Sequence, residues 1–261
     1  MIELRDVTKL FGVKRAVDHL DLKVRAGELF AFLGPNGAGK TTTIKMVCGL
    51  LAPPSGVVRV GGFLATSSEA RQLLAYVPDQ PYLYEKLTGR EFLRFVVEMY
   101  GIEPRAAAFR IAELIETFEL ADFVDELCEN YSQGMKQRVV FAAALVHDPK
   151  VLVVDEPLVG LDPRSARIVK DLFVEQARSG CAVLMSTHLL AIAEELADRI
   201  GIVDRGRMLA SGTLDQLRSQ VKHHGPLEDL FLKLTGDHRP SLDGDGPLDL
   251  AAEPQPVGTP S

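Results

Sequence analysis

Two kinds of apolar pattern alternate along the chain. Short unbroken blocks read as buried strands, and longer stretches with apolar residues every three or four positions read as helices. The block ELFAFLG (Glu28 to Gly34) predicts a strand entering a Gly-rich turn, and TTTIKMVCGL after it predicts a helix. VLVVD (Val151 to Asp155) and CAVLMSTH (Cys181 to His188) predict further buried strands that end in polar residues. Asp162 followed by Pro163 makes a helix start, running to about Ser179 before Gly180. From Thr88 to about Asp148 the period is helical almost throughout. Thr88 with Glu91 forms a capping box, EFLRFVVEMY runs to Gly101, RIAELIETFEL repeats the spacing, and Ser132 opens MKQRVVFAAALV. IELRDVTKLFG and VDHLDLKVRAG at the N-terminus are strand-like and predict a small antiparallel layer. The fold class is therefore α/β, a mainly parallel sheet core with an N-terminal antiparallel β layer and an inserted helical lobe at about 88–148.

Composition narrows the setting. A chain of 261 residues, 46% hydrophobic and 25% charged, can bury one sizeable core, or one core with a smaller lobe. Apolar runs such as Val139 to Val146 fall well short of the ~18 residues of a membrane span, and no basic-apolar-small leader opens the chain. Cys48, Cys128 and Cys181 are scattered without metal-ligand spacing, as expected of reduced packing residues in a cytoplasmic protein. The net charge of −7 argues against nucleic acid as the main partner. Five of the acids lie in residues 236–261, a Pro- and Gly-rich tail expected to be disordered, so the ordered domain is placed at 1–235.

One stretch carries explicit chemistry. GPNGAGKTT, from Gly34, Pro35, Asn36, Gly37, Ala38 and Gly39 to Lys40, Thr41 and Thr42, fits G-x-x-x-x-G-K-[ST]. Its glycines let backbone N–H groups turn toward phosphate oxygens, Lys40 adds a point charge, and the Thr41 hydroxyl is a Mg²⁺ ligand. The adjacent carboxylates Asp155 and Glu156 repel unless a cation or a proton-transfer task compensates. Beside a phosphate loop, Asp155 is placed to hold Mg²⁺ through water, and Glu156 to orient or deprotonate an attacking water.

The phosphate loop, VLVVDEP, YSQGMKQR, GLDP and MSTH occur in the order and spacing of ATP-binding cassette (ABC) ATPases, which the chain resembles from about Met1 to Gly236. It looks like the separate ATP-binding subunit of a bacterial ABC transporter, of the exporter-type branch. The resemblance implies a P-loop NTPase of ABC type that hydrolyses ATP with Mg²⁺ and pairs with an identical or different cassette. Ser132, Gln133 and Gly134 fall on the signature that reaches the partner's ATP, His188 on the switch histidine, Asp162 on the relay between cassettes, and Phe11 on the aromatic that stacks on adenine. A separate membrane permease is implied, with the chain peripheral on the inner face of the membrane. Two positions depart from the family. YSQGM stands for LSGGQ, bringing the Gln133 side chain near phosphate, and Asp79 stands where the hinge glutamine is usual, followed by Gln80. Either of the two, Asp79 by alignment, is then the metal contact. Rival readings are a soluble ABC ATPase acting on DNA or the ribosome, and a simple P-loop phosphotransferase or G protein. The chain lacks a long coiled-coil insert and a guanine-reading N-K-x-D motif.

Overall fold

In the computed structural model, residues 1–220 and 226–236 are described, so the tail placed at 236–261 lies outside the described residues apart from Gly236. The chain order begins with strands β1 (Ile2–Phe11), β2 (Lys14–Val24) and β3 (Leu29–Leu33), then helix α1 (Lys40–Val47). Strands β4 (Ser55–Val60) and β5 (Phe63–Leu64), helix α2 (Ser68–Leu73) and strand β6 (Leu74–Val77) follow. Helices α3 (Gly89–Met99), α4 (Pro104–Thr117) and α5 (Gln133–Leu145) come next, before strand β7 (Val151–Asp155). Helix α6 (Pro163–Arg178), strand β8 (Ala182–Thr187), helix α7 (Leu190–Leu196), the hairpin β9 (Arg199–Asp204) and β10 (Arg207–Gly212), and helices α8 (Leu214–Gln220) and α9 (Leu227–Gly236) complete the chain.

Two sheets result. One is antiparallel, in the order β2-β1-β4-β5, and the other has six strands in the order β10-β9-β3-β8-β7-β6. In the larger sheet β9, β3, β8, β7 and β6 are mutually parallel, and only β10 runs against its neighbour. Parallel strands deliver their carboxyl ends to one edge, where open α/β sheets place their ligands.

Period-two alternation on β3 splits the core. Leu29, Ala31 and Leu33 pack on one face with Phe141 of α5 and Phe173 of α6. Phe30 and Phe32 pack on the other with Ile2, Leu4 and the α1 residues Ile44 and Met46. Both phenylalanines are fully buried, each contributing about 1.5–3 kcal/mol of apolar transfer. No helix among the described residues is long and apolar enough to cross a membrane.

Helices α3, α4 and α5 stand between β6 and β7 in the chain, and their ends are closed locally. Thr88 and Glu91 form the expected capping box on α3. The buried Tyr131 hydroxyl accepts from Gly89 N (3.0 Å) and donates to Phe123 O (2.9 Å), tying the start of α3 to the segment leading into α5. The sequence pattern starts the second helix at Arg110, but α4 begins at Pro104. The Glu103 carboxylate caps Arg105 N and Ala106 N at 3.0 Å, and Pro104 presets the first turn, so capping starts a helix in a run without apolar spacing.

Candidate nucleotide-binding site

A cavity of about 410 Å³ opens at the carboxyl edge of the parallel strands. It is lined by Phe11, Pro35, Asn36, Gly37, Gly39, Lys40, Thr41 and Thr42 from the expected nucleotide set, and by Asp79, Asp155 and Glu156. Lys14 and Ala16 complete the wall.

The phosphate loop leaves β3 at Gly34 and closes a turn, with Ala38 N donating to Pro35 O at 3.1 Å. Gly39 caps α1 at φ +105°, in the left-handed region. A Cβ there would collide with the Ala16 carbonyl, so only glycine fits. No side chain caps α1 and no acid occupies its first turn, so its first N–H groups and the positive end of its dipole stay available to an anion. Lys40 is buried, and its Nζ donates to Gly34 O (2.6 Å) and Pro35 O (3.3 Å). Burial lowers its pKa, partly offset by Glu156 and Asp155. The charged ammonium is thus under-compensated here, and an anion in the cavity would supply what the burial removed.

The two adjacent acids diverge because the backbone changes hand between them. Asp155 ends β7 in regular pairing with Ser186 of β8, whose hydroxyl donates to Asp155 Oδ1. Glu156 takes φ +49°, a left-handed conformation costing a non-glycine residue about 1 kcal/mol. That turn directs its carboxylate to the end of β8, where Oε2 accepts from His188 N (3.3 Å) and lies 2.9 Å from His188 Nδ1. The neighbouring anions therefore take different partners, Asp155 on a strand hydroxyl and Glu156 on the histidine.

Asp79, just beyond β6, lines the cavity, whereas Gln80 does not. Burial, followed by the charges of Asp155 and Glu156, raises the Asp79 pKa. A carboxyl raised on folding binds its proton more readily in the folded chain. Its charge therefore subtracts stability as pH rises from its unfolded toward its folded value, and the penalty is relieved below that window.

Ser132, Gln133 and Gly134 do not line this cavity. Ser132 caps α5, its hydroxyl accepting from Met135 N at 3.3 Å. Asp162 caps α6, accepting from Arg164 N (3.0 Å), Ser165 N (3.1 Å) and Ser165 Oγ (2.6 Å). The two helix starts touch, since a Cβ on Gly134 would lie 3.2 Å from Asp162 Oδ2. Phe11 is 52% exposed at the cavity rim, with Lys9 Nζ 5.6 Å from its ring centre.

Sequence reasoning did not single out Lys14, Ala16 or Ser186. Ser186 lay in the quoted MSTH, and the strand alternation that puts it beside Asp155 could have found it. The donor set suits a hard cation. The Thr41 hydroxyl and the Asp155 carboxylate offer oxygen alone, and no group of three or more His, Cys, Asp or Glu among the described residues forms a closed cage. Such a pair fits Mg²⁺, which retains water and shares phosphate oxygens.

Comparison with known proteins accounts for this arrangement. Residues 17–159 match the ABC transporter family model. The chain is 39% identical over 91% of its length to the probable multidrug ABC transporter ATP-binding protein YbhF of Escherichia coli (strain K12), and spans 42% of that relative. It is 42% identical over 84% of its length to the daunorubicin/doxorubicin resistance ATP-binding protein DrrA of Streptomyces peucetius, covering 67% of it. Among solved structures, an ATP-binding subunit of an ABC transporter superposes with a TM-score of 0.85 at 34% identity, covering 90% of this chain and 99% of that one. A dimeric ATP-binding cassette with ADP and Pi shares the fold at a TM-score of 0.75 and 24% identity, over 82% of this chain and 99% of that one. The phosphate loop on β3, the acids ending β7 and the histidine after β8 sit on the framework these proteins share, and the chain belongs to the ABC transporter family of ATP-binding proteins.

Proposed function

We propose that the chain is the ATP-hydrolysing subunit of an ABC exporter, driving a separate membrane permease. The observation that carries this reading is the convergence of an uncapped, phosphate-ready helix end, Lys40, Asp155 and the Glu156–His188 pair at one sheet edge. In this reading the phosphate loop and Lys40 bind the β- and γ-phosphates, and Phe11 stacks on the base. Thr41 and Asp155 hold Mg²⁺, which when bound neutralises charge developing on the phosphates. Glu156 accepts a proton from the attacking water, and His188 holds the Glu156 carboxylate at the end of β8.

Ser132, Gln133 and Gly134 lie outside the cavity, which suits a site completed by a second cassette, identical or different. There the start of α5 meets the γ-phosphate bound on the partner, with Asp162 packed against Gly134 to couple the two. Relatives named for drug resistance and bacitracin transport support export as the task. The net charge of −7 gives the DNA- or ribosome-directed alternative no support.

No helix among the described residues can cross a membrane, so in this reading the permease holds the chain there. Co-expressed with its cognate permease, the protein should sediment with membranes, and it should leave the membrane fraction when the permease is omitted. If it stays in the soluble fraction in both cases, the transport reading fails.

The hinge offers a second test. Asp79 lines the cavity and carries the metal contact in this reading, so Asp79→Ala should raise the Mg²⁺ concentration needed for half-maximal ATPase activity. Gln80→Ala should leave it near wild type. The opposite ranking would transfer the role to Gln80.

A further inference from the structure

The cavity has a second cation for which the reading above has no task. Lys14 begins β2, is exposed and lines the wall beside Phe11. Among the described residues its ammonium makes no hydrogen bond or ion pair. Its neighbour Arg15 donates through Nη1 to Asp18 Oδ1 at 2.7 Å. Lys14 and Ala16 both line the cavity, while Arg15 between them is held by Asp18.

The start of β2 is also tied to the phosphate loop. Asp18 is buried, and its second carboxylate oxygen accepts from Arg207 Nε at 2.5 Å. Its backbone N–H donates to Gly206 O (2.9 Å), and Gly206 N donates to Ala38 O (2.8 Å). Gly206 sits in the β9–β10 turn at φ +81°, where a Cβ would come within 2.9 Å of Ala16 O. An unbroken hydrogen-bonded path thus runs from Ala38 in the phosphate loop through Gly206 and Asp18 to Arg15. It fixes the spacing between Lys14 and the anion-binding end of α1.

Position then assigns the ligand group. Phe11 and Lys14 face each other across the β1–β2 pair. The aromatic marks the base end of the cavity, and Lys40, Asp155 and Glu156 mark the terminal-phosphate end. The phosphate between base and loop is the α-phosphate. Three carboxylates line the cavity against the two ammonium groups of Lys14 and Lys40, so an incoming polyphosphate needs each cation present.

We propose that Lys14 binds the α-phosphate of the nucleotide, held in register with the phosphate loop by the Ala38–Gly206–Asp18–Arg15 path. This rests on the nucleotide-binding reading above and deepens it. The test is titration of the full chain and its Lys14→Ala, Lys14→Arg and Lys40→Ala variants with ATP, ADP, AMP and adenosine. Lys14→Ala should weaken ATP, ADP and AMP by a common factor of about five, the range of one solvent-exposed charge-assisted contact. Adenosine binding should not move, Lys14→Arg should restore the phosphate-bearing ligands, and the loss should fall on KM rather than kcat. Unchanged affinities for all four ligands would overturn the proposal. So would a loss confined to ATP, which is a γ-phosphate contact, or an equal loss for adenosine, which is a base or ribose contact. A Lys40→Ala protein with full ATP affinity would instead overturn the nucleotide-binding reading itself.

Discussion

Glu156→Gln should remove most ATP turnover, by a factor of about 10²–10⁴, the range for loss of a positioned general base. The substitution is nearly isosteric. A glutamine carbonyl can still accept from His188 N, as Glu156 Oε2 does at 3.3 Å, so the turn after β7 has no reason to rearrange. What is lost is the ability to take a proton from water. Lys40, Thr41 and the first turn of α1 stay intact, so ATP affinity should survive. Without hydrolysis the ATP-bound pair of cassettes should persist, visible as an ATP-dependent shift to the dimer in size-exclusion chromatography. Near-wild-type phosphate release from the variant would remove Glu156 as the base. His188 would then be the next residue to test, because its Nδ1 lies 2.9 Å from that carboxylate.

Much of this geometry was legible in the sequence because it depends on local rules. The apolar blocks around Leu29–Leu33 and Val151–Asp155 could bury only as central strands, and the parallel pairing of β3, β8 and β7 then brings their ends to one edge. Asp162 with Pro163 and Thr88 with Glu91 announced their helices through capping chemistry confined to four residues. The hairpin β9–β10 was not read as structure, although its Gly206 turn supports the phosphate loop. Its contacts to Ala38 and Asp18 span more than 160 residues of chain, and no local pattern encodes them. Lys14 escaped for a related reason. An exposed lysine at a strand start is ordinary in sequence, and its place in the wall depends on the β1–β2 register, which shifts between Lys9 and Leu10. The left-handed backbone at Glu156 is likewise invisible in DEP, yet it separates the two acids and gives each a different partner.

The two faces of the ATP site should separate cleanly by mutation. Lys40→Ala should lower ATP affinity by about a hundredfold, the combined worth of charge-assisted contacts to two phosphates, and abolish turnover. Misfolding is a poor explanation for such a loss. Burial already disfavours the charged ammonium in the folded chain, so removing it relieves a cost that offsets the loss of its bonds to the buried Gly34 carbonyl and to the Pro35 carbonyl in the cavity wall. Thermal melting without nucleotide should therefore stay within a few degrees of wild type, while stabilisation by ATP should disappear. Ser132→Arg should behave in the opposite way. Ser132 lies outside the cavity, so the single chain should bind ATP normally. A bulky cation at the start of α5 should block the second cassette's approach, and with it both ATP-dependent dimerisation and hydrolysis. Equilibrium dialysis measures the first property and chromatography the second. If Ser132→Arg instead weakened ATP binding by the monomer as much as Lys40→Ala does, the start of α5 would belong to the same chain's site, and a site divided between two copies would have to be abandoned.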